Sequence, residues 1–266
     1  MEQPKKSQAP ALSGEITCGF HASRALIEIR PQAIWEILVD STQRHLLEGL
    51  PPPLRRLAKE TSTIELSQKA GTSLHEGVVI RAAPRHWLKS KELIACLRSG
   101  PSPSLFVALD RVRNPYNIGA IIRSAAFFGV EAVILGSLAP HTGLSPDAIR
   151  VAEGGAELVR FARTTDLAET LNRLRDKGAR VCGAESEGGG GAETIPKSTP
   201  LVFVFGHERE GLSKRVRETC DLIVSIPRRT ALASLNVAVA AGILIHEMRR
   251  PPLKNQGLRQ KPASSQ

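Results

Sequence analysis

The chain has 266 residues, enough for one large domain or two modest ones. Apolar residues make up 41% and charged residues 23%, so a real core is available and wholesale disorder is excluded. The formal charge is +10, and no run of 18 apolar residues exists that would span a membrane as a helix.

The charge is unevenly placed. Residues 1–84 carry 10 Lys/Arg against 9 Asp/Glu, whereas residues 85–266 carry 26 against 17. From Arg249 onward stand Arg249, Arg250, Lys254, Arg259 and Lys261 with no acid. A polyanion is the natural partner, and nucleic acid is the commonest. Aromatics are only 4%, too few for a broad base-stacking platform. Cys18, Cys96, Cys182 and Cys220 are far apart and form no C-x-x-C pair, so no metal site is expected. Reduced, buried thiols and an N-terminus without a signal-type apolar core point to a cytoplasmic protein.

In chain order, residues 1–14 read as a disordered tail and 15–84 as a small α/β unit. HASRALIEI (21–29) has helical spacing, and IWEILVD (34–40) reads as a strand. The prolines at 51–53 break the chain, and LRRLAKE (54–60) resumes as a helix. TIEL (63–66) and GVVIRA (77–82) read as strands. Residues 85–103 read as a linker, with KELIACLRS as one possible helix.

From Ser104 the texture changes. SLFVALD (104–110), EAVIL (131–135), ELVRF (157–161), ARVCGA (179–184), LVFVFG (201–206) and DLIVSIP (221–227) read as strands. Helices are expected at 117–129, 166–178 and 234–250. This alternation predicts a parallel, doubly wound α/β domain over 104–250, followed by a basic disordered tail at 251–266. Gly188–Gly191 lacks the Lys-Ser or Lys-Thr of a phosphate loop and reads as a flexible surface loop. No G-x-G-x-x-G follows a strand, which counts against a dinucleotide site.

Polar residues gather after three of these strands, where open α/β sheets bind ligands. Arg113, Asn114, Asn117 and Arg123 follow the first, Glu208, Glu210 and Gly211 the fifth, and Ser234, Leu235 and Asn236 the sixth. Read singly, Asn117 is a helix cap, Arg123 a solvated cation and Ser234 a cap.

Together, N-P-x-N-x-G-A-x-x-R (114–123), F-G-x-E-x-x-G-L (205–212) and I-P…S-L-N-V (226–237) resemble the three motifs of the SpoU/TrmH family. These are RNA ribose 2′-O-methyltransferases of the SPOUT class. G-F-H-A-x-R-A-L (19–26) and H-E-G-V-V (75–79) resemble, more weakly, the ribosomal-protein-like substrate-binding domain of the rRNA members, with Glu76 where Gln is usual.

The resemblance implies a C-terminal deep trefoil knot, S-adenosylmethionine as cofactor, no metal, and a homodimer formed through the knotted domain with the active site near the interface. It implies an RNA substrate, rRNA before tRNA. Asn114, Arg123, Glu208, Ser234 and Asn236 would be catalytic, with Asn114 orienting the nucleotide and Glu208 holding Asn114 or Arg123. Phe205, Gly206, Gly211, Ile226 and Leu235 would bind cofactor. Phe20, His21, Arg111, Arg113, Arg228 and Arg229 would bind RNA. Arg123 is proposed as a base in this family, but a guanidinium has a pKa above about 12 and no acceptor, so stabilising a phosphate and the developing alkoxide suits it better. The departures are Arg228-Arg229-Thr230 and Ala238 beside the third motif. An inert RNA-binding module of the same fold and a base methyltransferase are the alternatives.

Overall fold

A computed structural model of the chain describes residues 14–136 and 143–250; the expected tail at 251–266, and all but the last residue of that at 1–14, lie outside the described residues. The strands are β1 (Glu15–Cys18), β2 (Ile34–Val39), β3 (Ala58–Glu60), β4 (Val78–Ala82), β5 (Trp87–Leu88), β6 (Leu105–Leu109), β7 (Ala132–Gly136), β8 (Arg160–Thr164), β9 (Arg180–Ala184), β10 (Leu201–Phe205) and β11 (Leu222–Val224). The helices are α1 (Phe20–Ile29), α2 (Arg44–Glu48), α3 (Pro52–Arg55), α4 (Thr63–Ala70), α5 (Ser90–Ala95), α6 (Pro115–Phe127), α7 (Pro146–Val151), α8 (Gly155–Leu158), α9 (Leu167–Asp176), α10 (Lys214–Thr219) and α11 (Val237–Arg249).

Two sheets form. A 4-stranded sheet runs in the order β1-β4-β2-β3, and a 7-stranded sheet in the order β11-β9-β10-β6-β7-β8-β5. Every pairing in the larger sheet is parallel. The alternation of side chains along a strand explains the two layers that cover it. Leu105, Val107 and Leu109 of β6 join Leu201, Phe203 and Phe205 of β10 in one core beneath α6, α7 and α11. Phe106 and Ala108 join Val202 and Val204 in the opposite core, beneath α5, α9 and α10. The expected parallel sheet with helices on both faces is what the chain builds.

Several local expectations are corrected. TIEL belongs to α4: Ser62 caps it by accepting from Glu65 N at 3.2 Å, and Leu66 and Ala70 bury one face four residues apart. LRRLAKE divides, because the helix ends at Arg55 and Ala58–Glu60 pairs in parallel with β2. ELVRF also divides, with the helical turn α8 ahead of β8. Residues 85–103 are more than a linker, since β5 pairs with β8 at the edge of the large sheet and α5 covers it. Gly190 belongs to no loose loop: its N–H donates to Ile223 O at 3.1 Å, and Ser225 N donates to Gly190 O at 2.9 Å.

The smaller sheet is fastened to the larger unit by a buried ionic cluster. Glu157, 2% exposed, accepts from Arg30 Nε at 2.6 Å and Arg85 Nη2 at 3.2 Å. Glu15 accepts from the same two arginines at 3.1 and 2.7 Å. Two carboxylates against two guanidiniums leave no buried charge uncompensated, which is the condition for burying such groups.

Candidate active site

From β6 the chain steps outward to β7 and β8, and then returns to place β10 on the other flank of β6. The carboxyl ends of β6 and β10 therefore flank the point where strand order reverses, the usual place for a ligand crevice. The loops after both strands, and the loop before α11, meet there.

Asp110 closes the first loop onto the second. Its N–H donates to Phe205 O at 2.8 Å, and its carboxylate accepts from Ser213 N at 2.6 Å. The second loop is a tight turn in which His207 and Gly211 exchange backbone bonds at 3.0 and 2.9 Å. A Cβ at Gly206 would overlap the Gly211 carbonyl, so only glycine fits. His207 Nδ1 accepts from Arg209 N at 3.3 Å and Glu210 N at 3.4 Å, which makes it a turn-builder and not a base.

The three motifs meet through side chains. Pro115 opens α6, so the cap is the residue before it: Asn114 accepts from Tyr116 N at 2.9 Å. This frees Asn117, one turn in. Asn236 caps α11 by accepting from Ala238 N at 2.8 Å, and that bond fixes which end of its amide is oxygen. Its Nδ2 then donates to Asn117 Oδ1 at 2.9 Å, and Asn117 Nδ2 donates to Glu208 Oε1 at 2.9 Å. A polar chain Asn236–Asn117–Glu208 thus crosses all three loops, with Glu208 and Asn236 exposed.

Two expected roles change accordingly. Asn114 caps α6, and it is Asn117 that bonds to Glu208 and Asn236. Glu208 holds Asn117, neither Asn114 nor Arg123. The signal was present in the sequence, because proline favours the first helical position and so marks Asn114 as the cap.

Arg123 lies elsewhere on α6. It follows Asn117 by six residues, about 9 Å along the helix and about 120° around it, so the two side chains do not share a face. It is exposed, and its Nη2 pairs with Glu153 at 2.8 Å. Ser234 is exposed in the loop before α11, as are Arg228 and Arg229. Arg228 pairs with Glu187 at 2.7 Å. Arg113 is exposed at the mouth of the first loop. Arg111, expected on phosphates, is instead turned inward: it pairs with Glu210 and donates to Gly211 O at 3.1 Å. That bond ties down the second loop and takes up its guanidinium.

Among the expected cofactor residues, the Phe205 ring is buried in the core against Phe203, so only its backbone reaches the crevice. Gly206 and Gly211 shape the turn. Ile226 packs on the core edge, and Leu235 is 45% exposed. Among the described residues, the backbone of 226–235 makes no backbone-to-backbone hydrogen bond, and Leu232 N donates to Thr230 Oγ1 at 3.3 Å. Apolar side chains beside a loop outside any backbone ladder suit a nucleoside-like cofactor.

In the smaller unit, Phe20 and His21 stand at the start of α1 with ring centroids 5.3 Å apart. His45, which sequence reasoning missed, adds a third ring 6.2 Å from Phe20. Glu76 accepts from Phe20 N at 3.0 Å and faces Arg150 at 3.6 Å, an ionic role that a glutamine could not fill. No group of His, Cys, Asp and Glu suited to a metal occurs among the described residues.

The fold and site define a parallel α/β protein whose three loops are joined by a polar chain at the switch point of the sheet. The SpoU rRNA Methylase family matches residues 104–246, and the chain belongs to that family. It is 34% identical over 247 residues to the 23S rRNA (guanosine-2′-O-)-methyltransferase RlmB of Nitrosomonas europaea, covering 90% of this chain and 92% of that protein. The crystal structure of the SpoU methyltransferase AviRb from Streptomyces viridochromogenes, in complex with AdoMet, aligns with TM-score 0.72 and 24% identity over 90% of both chains. The A. aeolicus TrmH/SpoU tRNA modifying enzyme aligns with TM-score 0.51 and 26% identity over 60% of this chain and 81% of its own.

Proposed function

We propose that this chain transfers the methyl group of S-adenosylmethionine to a ribose 2′-hydroxyl of rRNA. The observation that carries the reading is the Asn236–Asn117–Glu208 chain, which joins the three motif loops in one hydrogen-bonded line. Family membership supports the reaction class. The rRNA enzyme from N. europaea matches over 90% of this chain and the A. aeolicus tRNA enzyme over 60%, so the smaller N-terminal sheet favours rRNA over tRNA.

S-adenosylmethionine supplies an electrophilic methyl on a sulfonium, so the reaction asks the protein for alignment and proton removal but no metal. Backbone groups of Phe205, Gly206 and 226–235, with Ile226 and Leu235, would hold it. The Asn236 cap fixes Asn117, and Asn117 fixes Glu208. The Glu208 carboxylate has acceptor positions that Asn117 does not use, and they suit a ribose hydroxyl. Arg123, which does not face its own chain's Glu208, would reach the phosphate and the developing oxygen across the proposed dimer interface, the proton departing to a phosphate oxygen or water. Ser234 borders this shell. Arg113, Arg228 and Arg229 meet phosphates, and the rings of Phe20, His21 and His45 take unpaired bases.

The remaining parts of the reading concern topology and assembly. The loop before α11 returns from β11, at the far edge of the sheet, to α6, and a deep trefoil knot there would hold the cofactor loop rigid. Ala120, Ser124, Ala238, Val239, Gly242 and Ile243 form an open apolar groove along α6 and α11. A second copy of the chain covering it gives a homodimer with Arg123 on the rim of the interface. In this reading 15–84 serves RNA and the catalytic unit runs to residue 250 with β5 and α5 included, in a cytoplasmic protein. Incubating the purified protein with methyl-labelled cofactor and separate rRNA and tRNA transcripts tests the reading. Label in rRNA that Asn117→Ala abolishes supports it, and label in neither RNA overturns it.

A further inference from the structure

Among the described residues, three that are not glycine adopt positive φ: Glu76 at 53°, Arg111 at 64° and Glu153 at 45°. A left-handed conformation is costly for a residue with a Cβ and persists where the surroundings impose it. Glu76 and Arg111 use theirs to tie elements together, through Phe20 N and Arg150 in the first case and Glu210 and Gly211 O in the second. Glu153 directs its carboxylate to Arg123 Nη2 at 2.8 Å.

Stability does not account for that pair. Arg123 is 58% exposed and Glu153 41%, and exposed ion pairs contribute little. Glycine at 153 would relieve the backbone and forfeit almost nothing in attraction.

The turn that carries Glu153 is pressed between two helices. A Cβ at Gly155 would stand 3.2 Å from Arg123 Cα, so the turn abuts α6 at the arginine itself. A Cβ at Gly154 would stand 2.8 Å from Ala25 Cβ on α1. Glu157, three residues on from Gly154, is clamped by Arg30 and Arg85 of the smaller unit. The carboxylate that faces Arg123 is therefore placed by the same contacts that dock the RNA-reading helix.

We infer that Glu153 is a positioning residue for Arg123, held between α1 and α6 so that the guanidinium is oriented before RNA arrives. An arginine has five N–H donors in a fixed fork, so holding one edge leaves the others aimed at phosphate and alkoxide. The inference rests on the assignment of Arg123 to the transfer step. It names no new contact with RNA, so RNA affinity is expected to stay the same.

The test compares full-length wild type, Glu153→Gly, Arg123→Ala and the double variant by steady-state methyl transfer to rRNA, with melting temperatures. Glu153→Gly is expected to lower kcat about 10-fold or more, the scale for misplaced reacting groups, with KM for RNA within about twofold. Its melting temperature should hold or rise. In the Arg123→Ala background the same change should cost nothing further. Glu153→Gly at wild-type kcat, a fall that recurs undiminished in the double variant, or a fall that tracks a lowered melting temperature overturns the inference. Arg123→Ala at wild-type rate instead overturns the reading on which it rests.

Discussion

Asn236 Nδ2 donates to Asn117 Oδ1 at 2.9 Å, across 119 residues of chain. The bond joins the start of α11 to the first turn of α6, and both amides have their orientation set by what lies on either side. Asn236 spends its oxygen on Ala238 N, so it offers its nitrogen. Asn117 receives with its oxygen and so presents its own nitrogen to Glu208. The direction of the whole line follows from one helix cap.

The two asparagines of α6 should therefore separate cleanly. Asn114→Ala removes a cap and should cost about 1 kcal/mol of stability while turnover persists. Asn117→Ala breaks the line at its centre and should lower kcat about 100-fold with a near-normal melting temperature. Parallel thermal melts and transfer assays check both.

Arg123 is assigned to the transfer step through its charged, forked donors and not as a base. Arg123→Ala should lose about 10²–10³ in rate, the scale for one preorganised oxyanion donor. Arg123→Lys should remain largely inactive, since an ammonium keeps the charge but lacks the fork. Cofactor affinity by calorimetry should barely change in either variant, because backbone groups of other loops supply that site. An alanine variant at near-normal rate would move the role to Arg113 or Arg228.

How much of this was legible beforehand depends on the scale of the feature. Hydrophobic runs such as LVFVFG announced buried strands, and the three motifs announced the site, because both are local patterns. Asn117 was mistaken for a cap because its role is set by Glu208 and Asn236, residues distant in sequence. Arg111 was read as a phosphate contact because sequence shows a charge but not that Glu210 has already taken it. TIEL was mistaken for a strand because four apolar-alternating residues are too few to distinguish the two periods. Glu153 carried no signal at all, since its left-handed backbone exists only in the packed turn.

Association should follow from the α6–α11 face. Val239 is 50% exposed and Ile243 38% on an otherwise apolar groove. Light scattering should give about twice the 28.7 kDa of one chain. Val239→Glu, which buries a charge in the proposed interface, should return the mass to that of one chain and remove activity with it. An active monomer would contradict the assignment.

The thiols give a pH prediction. Burial pushes Cys18, Cys182 and Cys220 up to about 12 from an ordinary value near 9. Above about pH 9 the unfolded chain sheds thiol protons that the folded chain retains, so these groups cost stability as pH rises. The melting temperature should fall between pH 8 and 10, and less steeply in Cys220→Ala. A thiol-alkylating reagent at pH 8 should label the buried Cys18 and Cys182 only on unfolding. Rapid labelling of the folded protein at Cys182 would contradict the burial.

The methyl group is assigned to a ribose oxygen of rRNA. The most direct measurement is nucleoside digestion of rRNA methylated by the purified protein, followed by mass spectrometry of the products. The account predicts a 2′-O-methyl nucleoside, with the added mass on the sugar fragment, absent when Asn117→Ala replaces the wild type. A methyl group on the base fragment, or no methylated nucleoside at all, would contradict it.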